Sequence, residues 1–345
     1  MGVITEFSCA ASTGNNCAPT GITAGPDGNI WFSGTGAPLI GGGVGRFVPP
    51  PAGPLTSTHD FNGDGKSDIL WRDSSGNTAI WLMNASQVAQ SGLIGVVPTN
   101  WSVVGQRDFV GTGNADILWR DGGGNLAMWV ITGVQVFSTV SLGNVPTTWT
   151  LYGTGDLNGD GKGDLLWRDT SGNIGIWFMN ATQVASTASV GQLSTSWSIV
   201  GNDNKGDILW SDTSGNLAIW QMNGAQVAAS ALLGNVPTNW KIAGTGDFNG
   251  DGYIDILWRD SNTNTFAIWF LTGTQLLSTA TLGVLPNIWS VAQTGDYNSD
   301  GKSDILWTDT SGDFAIWFMN GATIASTAGL GNVGTSWTVQ SANAE

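Results

Sequence analysis

"DFNGDGKSD", residues 60–68, puts four oxygen-bearing side chains into nine residues. Asp60, Asn62, Asp64 and Asp68 stand at loop positions 1, 3, 5 and 9, with Gly65 at position 6. Three carboxylates on one tight turn repel each other unless something neutralises them. Hard cations such as calcium need such a set, on backbone that bends sharply at a glycine. An EF-hand would add a glutamate at position 12 and flanking helices. Position 12 here is Trp71, within the strand-like run "DILWRD". The stretch therefore reads as a calcium loop between strands.

It recurs in full three more times, at Asp156/Asn158/Asp160/Asp164, Asp247/Asn249/Asp251/Asp255 and Asp296/Asn298/Asp300/Asp304. Position 7 gives only a backbone carbonyl, so its side chain varies freely: Lys66, Lys162, Tyr253 and Lys302. Two further copies are incomplete. One begins at Asp108 and has Val110 and Thr112 at positions 3 and 5; the other, near Asp203, is about five residues short. Both keep the ninth-position aspartate, Asp116 and Asp207. That persistence suggests that this aspartate ties down loop backbone with or without metal. Four calcium sites are expected, and none in the second and fourth repeats.

Each loop opens a longer repeat. "ILW/LLW" tryptophans fall at Trp71, Trp119, Trp167, Trp210, Trp258 and Trp307, 43–49 residues apart. A second series follows at Trp81, Trp129, Trp177, Trp220, Trp269 and Trp317, and a third at Trp101, Trp149, Trp197, Trp240, Trp289 and Trp337. With Trp31 these make up all 19 tryptophans. Each unit reads as four short strands separated by turns such as "DSSGN", "MNAS" and "VVPTN". Four strands per unit of this length, repeated six times, predict β-propeller blades. Residues 1–54 carry about three further strands and no loop of this type. The closing "TSWTV" reads as an inner strand without a unit to follow it. Joining that strand to the N-terminal ones near 20–48 would complete a seventh blade and hide both edges. The expectation is an all-β, seven-bladed propeller forming a single domain over 1–345, with the six repeats at 55–340.

Composition narrows the function. The net charge of −15 argues against nucleic-acid and anionic-membrane partners. All acidic residues except Glu6 and Glu345 are aspartate, the acid best suited to turns and calcium loops. No apolar run is long enough to span a membrane. The opening "MGVITEF" runs straight into strand-like sequence, as expected if an export signal has been removed. Cys9 and Cys17, in "CAASTGNNC", are expected to be bonded as in exported proteins; two reduced thiols are the alternative. Their spacing does not suit zinc. The sequons at Asn84, Asn100 and Asn180 sit at regular turn positions and read as turn chemistry.

"DFNGDGKSDILW" resembles the FG-GAP/VCBS repeat of integrin α-subunit propellers, some fungal and bacterial lectins, and many secreted bacterial proteins. The resemblance covers about residues 55–340. It implies calcium between the first and second strands of a blade, on one rim, at the four complete loops. Separately, "GITAGPDGNIWF" with "GRF" resembles one blade of the virginiamycin B lyase group. Members of that group use histidine, whereas His59, the single histidine here, lies outside the matching segment. The lyase activity is not carried over.

No glutamate pair, Ser–His–Asp set or nucleophilic cysteine emerges, so an enzyme, whether lyase or hydrolase, is not the expectation. The leading class is an extracellular or cell-surface glycan-binding or adhesive module. Its repeated tryptophans would offer several equivalent sites, with the third series as candidate ligand residues. The alternative is a protein-interaction or structural surface module.

Overall fold

The computed structural model describes residues 59–203 and 206–341 with their side chains, and the backbone of strands Ala18–Ala24, Ile30–Thr35 and Gly43–Phe47. The chain divides into two compact units, Met1–Leu55 and Thr56–Glu345. Cys9 and Cys17, and with them the expected disulfide, lie outside the described residues.

In the first unit the three strands form an antiparallel sheet of their own. The second unit holds six four-stranded antiparallel sheets. Blade 2 is typical: inner strand Trp101–Arg107, second strand Asp116–Asp121, third strand Asn125–Thr132 and outer strand Gln135–Asn144. Its second strand is buried over 116–119 and half-buried at Arg120 and Asp121, its third alternates between buried and more exposed positions, and its outer strand is largely exposed. The outer hairpin has two register shifts, at Val136/Ser138 and Ser141/Gly143. Such bulges twist an exposed edge and discourage pairing with another sheet.

The propeller therefore has six blades, where the sequence suggests seven. The closing strand Trp337–Val339 pairs with Ile69–Asp73 of the first repeat and makes no sheet with the N-terminal strands. Its register, Trp337 opposite Asp73, repeats Trp101/Asp121, Trp149/Asp169, Trp197/Asp212, Trp240/Asp260 and Trp289/Asp309. The physical reason is a missing inner strand. No tryptophan-led strand precedes the Asp60 loop, so the first repeat cannot complete its own blade, and the C-terminal strand takes that place in the common register. Thr338 Oγ1 donates to the Arg72 carbonyl at 3.1 Å, and Gln340 N to the Leu70 carbonyl at 2.8 Å.

The core lies between neighbouring blades. Phe61, Leu70 and Ile80 of blade 1 pack with Ile117 and Trp119 of blade 2, and Phe314, Ile316 and Phe318 of blade 6 pack with Ile69 and Trp71 of blade 1. The first tryptophan series is buried throughout, at 0–4% exposure, which makes it core. Each of these rings tilts against the second-series ring of its own blade at 4.9–5.4 Å between centroids. Aromatic pairs in such arrangements add to the stabilisation from burial.

Candidate functional site

Each loop leads into the second strand of its blade. The position-1 carboxylate organises the turn. Asp60 accepts the backbone N–H groups of Gly63 at 2.7 Å, Asp64 at 3.2 Å and Gly65 at 2.8 Å. Asp156 and Asp247 repeat the pattern, and Asp296 accepts from Asp300 and Gly301. Asn62 and Asp64 each accept the N–H two residues on. The glycine at position 6 has a left-handed φ, 82° at Gly65, which a Cβ would strain.

The ninth-position aspartate joins the loop to the rest of its blade. Asp68 accepts Phe61 N at 2.8 Å through one oxygen and Met83 N at 2.7 Å through the other. Asp116, Asp164, Asp255 and Asp304 bridge the equivalent groups, and Asp207 accepts Met222 N. The incomplete second loop keeps the same backbone, with Asp108 accepting from Gly111, Thr112 and Gly113. In this loop too, aspartate–backbone bonds shape the turn.

At positions 3 and 5 the side chains make local turn bonds. Among the described residues, no three acidic, histidine or cysteine side chains are gathered as a ready-made metal cluster. Asn62, Asp64, Asn158, Asp160, Asp251 and Asp300 are exposed, and Asn249 and Asn298 are half-buried. Each asparagine of the three later loops folds onto the carboxylate two residues on. Asn158 Nδ2 donates to Asp160 at 3.4 Å, Asn249 Nδ2 to Asp251 at 3.0 Å and Asn298 Nδ2 to Asp300 at 3.3 Å. The same asparagine oxygens accept Asp160 N, Asp251 N and Asp300 N, each at 2.9 Å. The carboxylates in turn accept the N–H of Lys162, Tyr253 and Lys302. These five-residue arcs form turns at the rim. The reason is local: the nearest donors to a rim carboxylate are the amide and backbone N–H groups two residues away. At positions 1 and 9, Asp60 and Asp68 are likewise turned towards backbone N–H groups, and Lys66 Nζ lies 3.3 Å from Asp64.

Neighbouring blades are also linked through the loops. The Asp60, Asp108, Asp247 and Asp296 carbonyls accept the N–H of Ala115, Gly163, Ser303 and Ser67, each in the adjacent blade. The next residue's carbonyl, at Phe61, Leu157, Phe248 and Tyr297, accepts from a third-strand turn next door.

The donor set nevertheless fits a hard cation. Every ligand atom it offers is oxygen, and a carboxylate oxygen with one N–H partner keeps a second lone pair. An asparagine needs only to turn its oxygen inwards. The ninth-position carboxyls are raised in complete and incomplete loops alike, Asp116 to about 7 by burial. Burial, then the nearby Asp60 and Asp64 carboxylates, push Asp68 up to about 8 against the N–H bonds that lower it. Asp255 rises to about 8, and Asp164 and Asp304 to about 7, with burial again the leading cause. A divalent cation would relieve both the desolvation and the repulsion. The first loop would hold it with Asp60, Asn62, Asp64, the Lys66 carbonyl and Asp68. The second complete loop offers Asp156, Asn158, Asp160, the Lys162 carbonyl and Asp164. The third offers Asp247, Asn249, Asp251, the Tyr253 carbonyl and Asp255, and the fourth Asp296, Asn298, Asp300, the Lys302 carbonyl and Asp304.

The third tryptophan series is half-buried at all six positions, and so is the second, so exposure does not single out the third. Trp101 N donates to the Pro98 carbonyl, fixing the turn between blades. His59 is fully buried, with Nδ1 3.0 Å from Gln106 Oε1, and desolvation lowers its pKa to about 3. It is a neutral structural group. Sequence reading missed two features: the "LWRD" arginines, which reach into the next blade, and large apolar side chains on outer strands. Leu93, Phe137, Leu232 and Leu277 are 61–76% exposed. The first could have been found from the regular recurrence of Arg72, Arg120, Arg168 and Arg259.

The sequence profile of the FG-GAP-like repeat matches residues 247–307, a span that contains the Asp247 and Asp296 loops. No curated protein is significantly similar in sequence. Among solved structures, the chain is similar to the C-terminal WD40 domain of Sif2 at 12% identity, covering 75% of this chain and 80% of that one, with a TM-score of 0.42. Sqt1 of Saccharomyces cerevisiae gives 13% identity, coverage of 91% and 82%, and a TM-score of 0.43. Prolyl oligopeptidase B from Galerina marginata gives 12% identity, 94% and 51%, and 0.43. The propeller assignment rests on the chain's own six sheets, and the match supports FG-GAP-like repeats within it.

Proposed function

We propose that the chain is a secreted, non-catalytic adhesion module: a propeller that carries calcium in four loops and binds a protein partner through its surface. The exposed apolar side chains on the outer strands of blades 1, 2, 4 and 5 carry the partner reading. Leu93, Phe137, Leu232 and Leu277 each offer a partner an apolar side chain on an outer strand. Calcium is proposed from the donor set of the four complete loops. It would draw the rim side chains at positions 3 and 5 inwards, fix the loops and remove negative charge beside the second strands.

The test has two arms. Isothermal titration of chelator-treated protein should give four calcium ions per chain. Binding to an extracellular or envelope protein fraction should fall when Phe137→Ser and Leu277→Ser are combined, with the calcium count unchanged. A second reading, glycan binding, draws on the half-buried tryptophans beside the proline turns. A glycan-array signal lost in Trp101→Ala, Trp149→Ala or Trp289→Ala would favour it, and a silent array with and without calcium would end it.

A further inference from the structure

Three blades hold their neighbours with an arginine. Arg72 donates to the carbonyls of Val97 at 3.0 Å, Pro98 at 2.9 Å and Trp101, and its guanidinium lies 5.2 Å over the Trp119 ring of blade 2. Arg120 does the same to Val145, Pro146 and Trp149, over Trp167. Arg168 repeats it on Leu193, Ser194 and Trp197, over Trp210. Three carbonyls and an indole face thus form a standard receptor for a planar cation, filled each time from within the chain.

Between blades 4 and 5 the receptor stands without its arginine. Ser211 takes the arginine position, and its hydroxyl turns back to the Asp212 carbonyl at 3.4 Å. The equivalent carbonyls belong to Val236, Pro237 and Trp240, and the equivalent ring is Trp258. These four residues line a cleft of about 260 Å³. Blade 6 also lacks the arginine, with Thr308, but there Phe314 sets its edge on Trp71 at 4.8 Å. In blade 5, Phe266 meets Trp307 in the same way, and Arg259 still reaches the Trp289 carbonyl. Blade 4 carries Leu217 at the phenylalanine position, buried in one cluster with Trp258, so it has neither the cation nor the aromatic filler, and Trp258 meets the cleft with 4% of its surface exposed.

We propose that this cleft binds the guanidinium group of an arginine presented by a partner polypeptide. The fork of a guanidinium can donate to three carbonyls while stacking on an indole; an ammonium has neither the plane nor the reach. The net charge of −15 favours a basic segment over an acidic one. The inference gives a chemistry to the partner proposed above and does not depend on the metal loops.

The test is titration of N-acetyl-arginine amide into the intact protein, with the citrulline and lysine amides as controls. Saturable binding at one site is expected, with citrulline and lysine weaker by about tenfold or more. Ser211→Arg should abolish binding and raise the melting temperature by closing the cleft from within. Arg120→Ser, which vacates the slot between blades 2 and 3, should produce a second site. Absence of saturable binding, equal binding by citrulline, or binding unchanged in Ser211→Arg with no second site in Arg120→Ser would overturn the proposal. The Ser211 and Arg120 variants leave Phe137 and Leu277 in place, so failure of this proposal leaves the outer-strand test of the adhesion reading standing.

Discussion

Trp337 lies opposite Asp73 in the register that Trp289 holds to Asp309, so the last strand of the chain completes the blade begun by the first repeat. Closure of this kind makes the ring's cooperativity depend on its terminal strand. Deleting residues 335–345 should expose the Ile69–Asp73 edge and half-uncover Trp71, leaving no single sharp thermal transition. Deleting residues 1–55 should leave six complete blades and a melting temperature within a few degrees of the parent. Circular dichroism melts of the two truncations decide it. The reverse outcome would mean that the N-terminal sheet closes the ring.

Arg107 and Gly163 show how neighbouring blades exchange volume. A Cβ on Gly163 would lie 2.5 Å from Arg107 Cγ. Between blades 5 and 6 the same contact is reversed, with Gly246 beneath the Ser303 side chain. Gly163→Ser should therefore cost about 1–3 kcal/mol by overpacking. Adding Arg107→Gly should recover part of the loss, because it recreates the Gly246/Ser303 pairing. Urea unfolding of the two single variants and the double variant gives the coupling energy, and additivity would show that the two residues do not compete for space.

Much of this architecture was legible because each repeat spells out its own blade. The tryptophan spacing, the turn glycines and the ninth-position aspartate all mark local structure, and local structure is what a repeat encodes. Closure was misread because strand pairing is not local. Counting could have settled it: six "ILW" strands need six inner strands, and Trp337 leads the sixth. In the loops, residue type and spacing named the oxygen donors but not the turn bonds between them, such as Asn158 Nδ2 to Asp160 and Asp160 N to Asn158 Oδ1. The arginine clamps escaped notice for a reason related to closure. Arg72 looks like a surface charge until the next blade is brought over it, and nothing in "LWRD" says that its partners are Val97 and Trp101.

The turn aspartates make the propeller sensitive to acid. Asp121 accepts Asn125 Nδ2 at 2.8 Å, along with the N–H groups of Asn125 and Gly123. The Asn125 side-chain amide, first, and these N–H bonds hold its carboxyl below the usual 3.8, and Asp73, Asp169 and Asp212 match it. A depressed folded pKa means stability that is present above 3.8 and lost as pH falls through the folded value. Asn125→Ala should raise the Asp121 pKa by NMR titration and move the acid-unfolding midpoint to higher pH. An unchanged Asp121 titration would remove the amide from the account.

Asp64, Asp68 and Asp116 separate metal binding from loop construction. Asp64 is exposed at the rim of its loop and bonds only locally, to Lys66 N at 3.0 Å and Lys66 Nζ at 3.3 Å. Asp64→Ala should therefore remove one calcium ion and leave the metal-free stability within about 0.5 kcal/mol of the parent. Asp116 belongs to the loop with Val110 and Thr112 at positions 3 and 5, where no ion is expected, and holds the buried N–H groups of Phe109 and Ile131, each at 3.1 Å. Its loss strands both donors, so Asp116→Ala should cost roughly 2–5 kcal/mol with the calcium count unchanged. Asp68 combines the two roles: Asp68→Ala should lose an ion and also destabilise the metal-free protein by a similar amount. In the parent, chelation should lower stability by roughly 2–6 kcal/mol over four sites at millimolar calcium, if each has the affinity of extracellular modules. The fold should survive it, because the second and fourth blades form without a complete loop. Calorimetric stoichiometry with urea unfolding in chelator resolves all three variants. A count near six, or near zero, would show that the loops do not hold calcium as their carboxylates suggest.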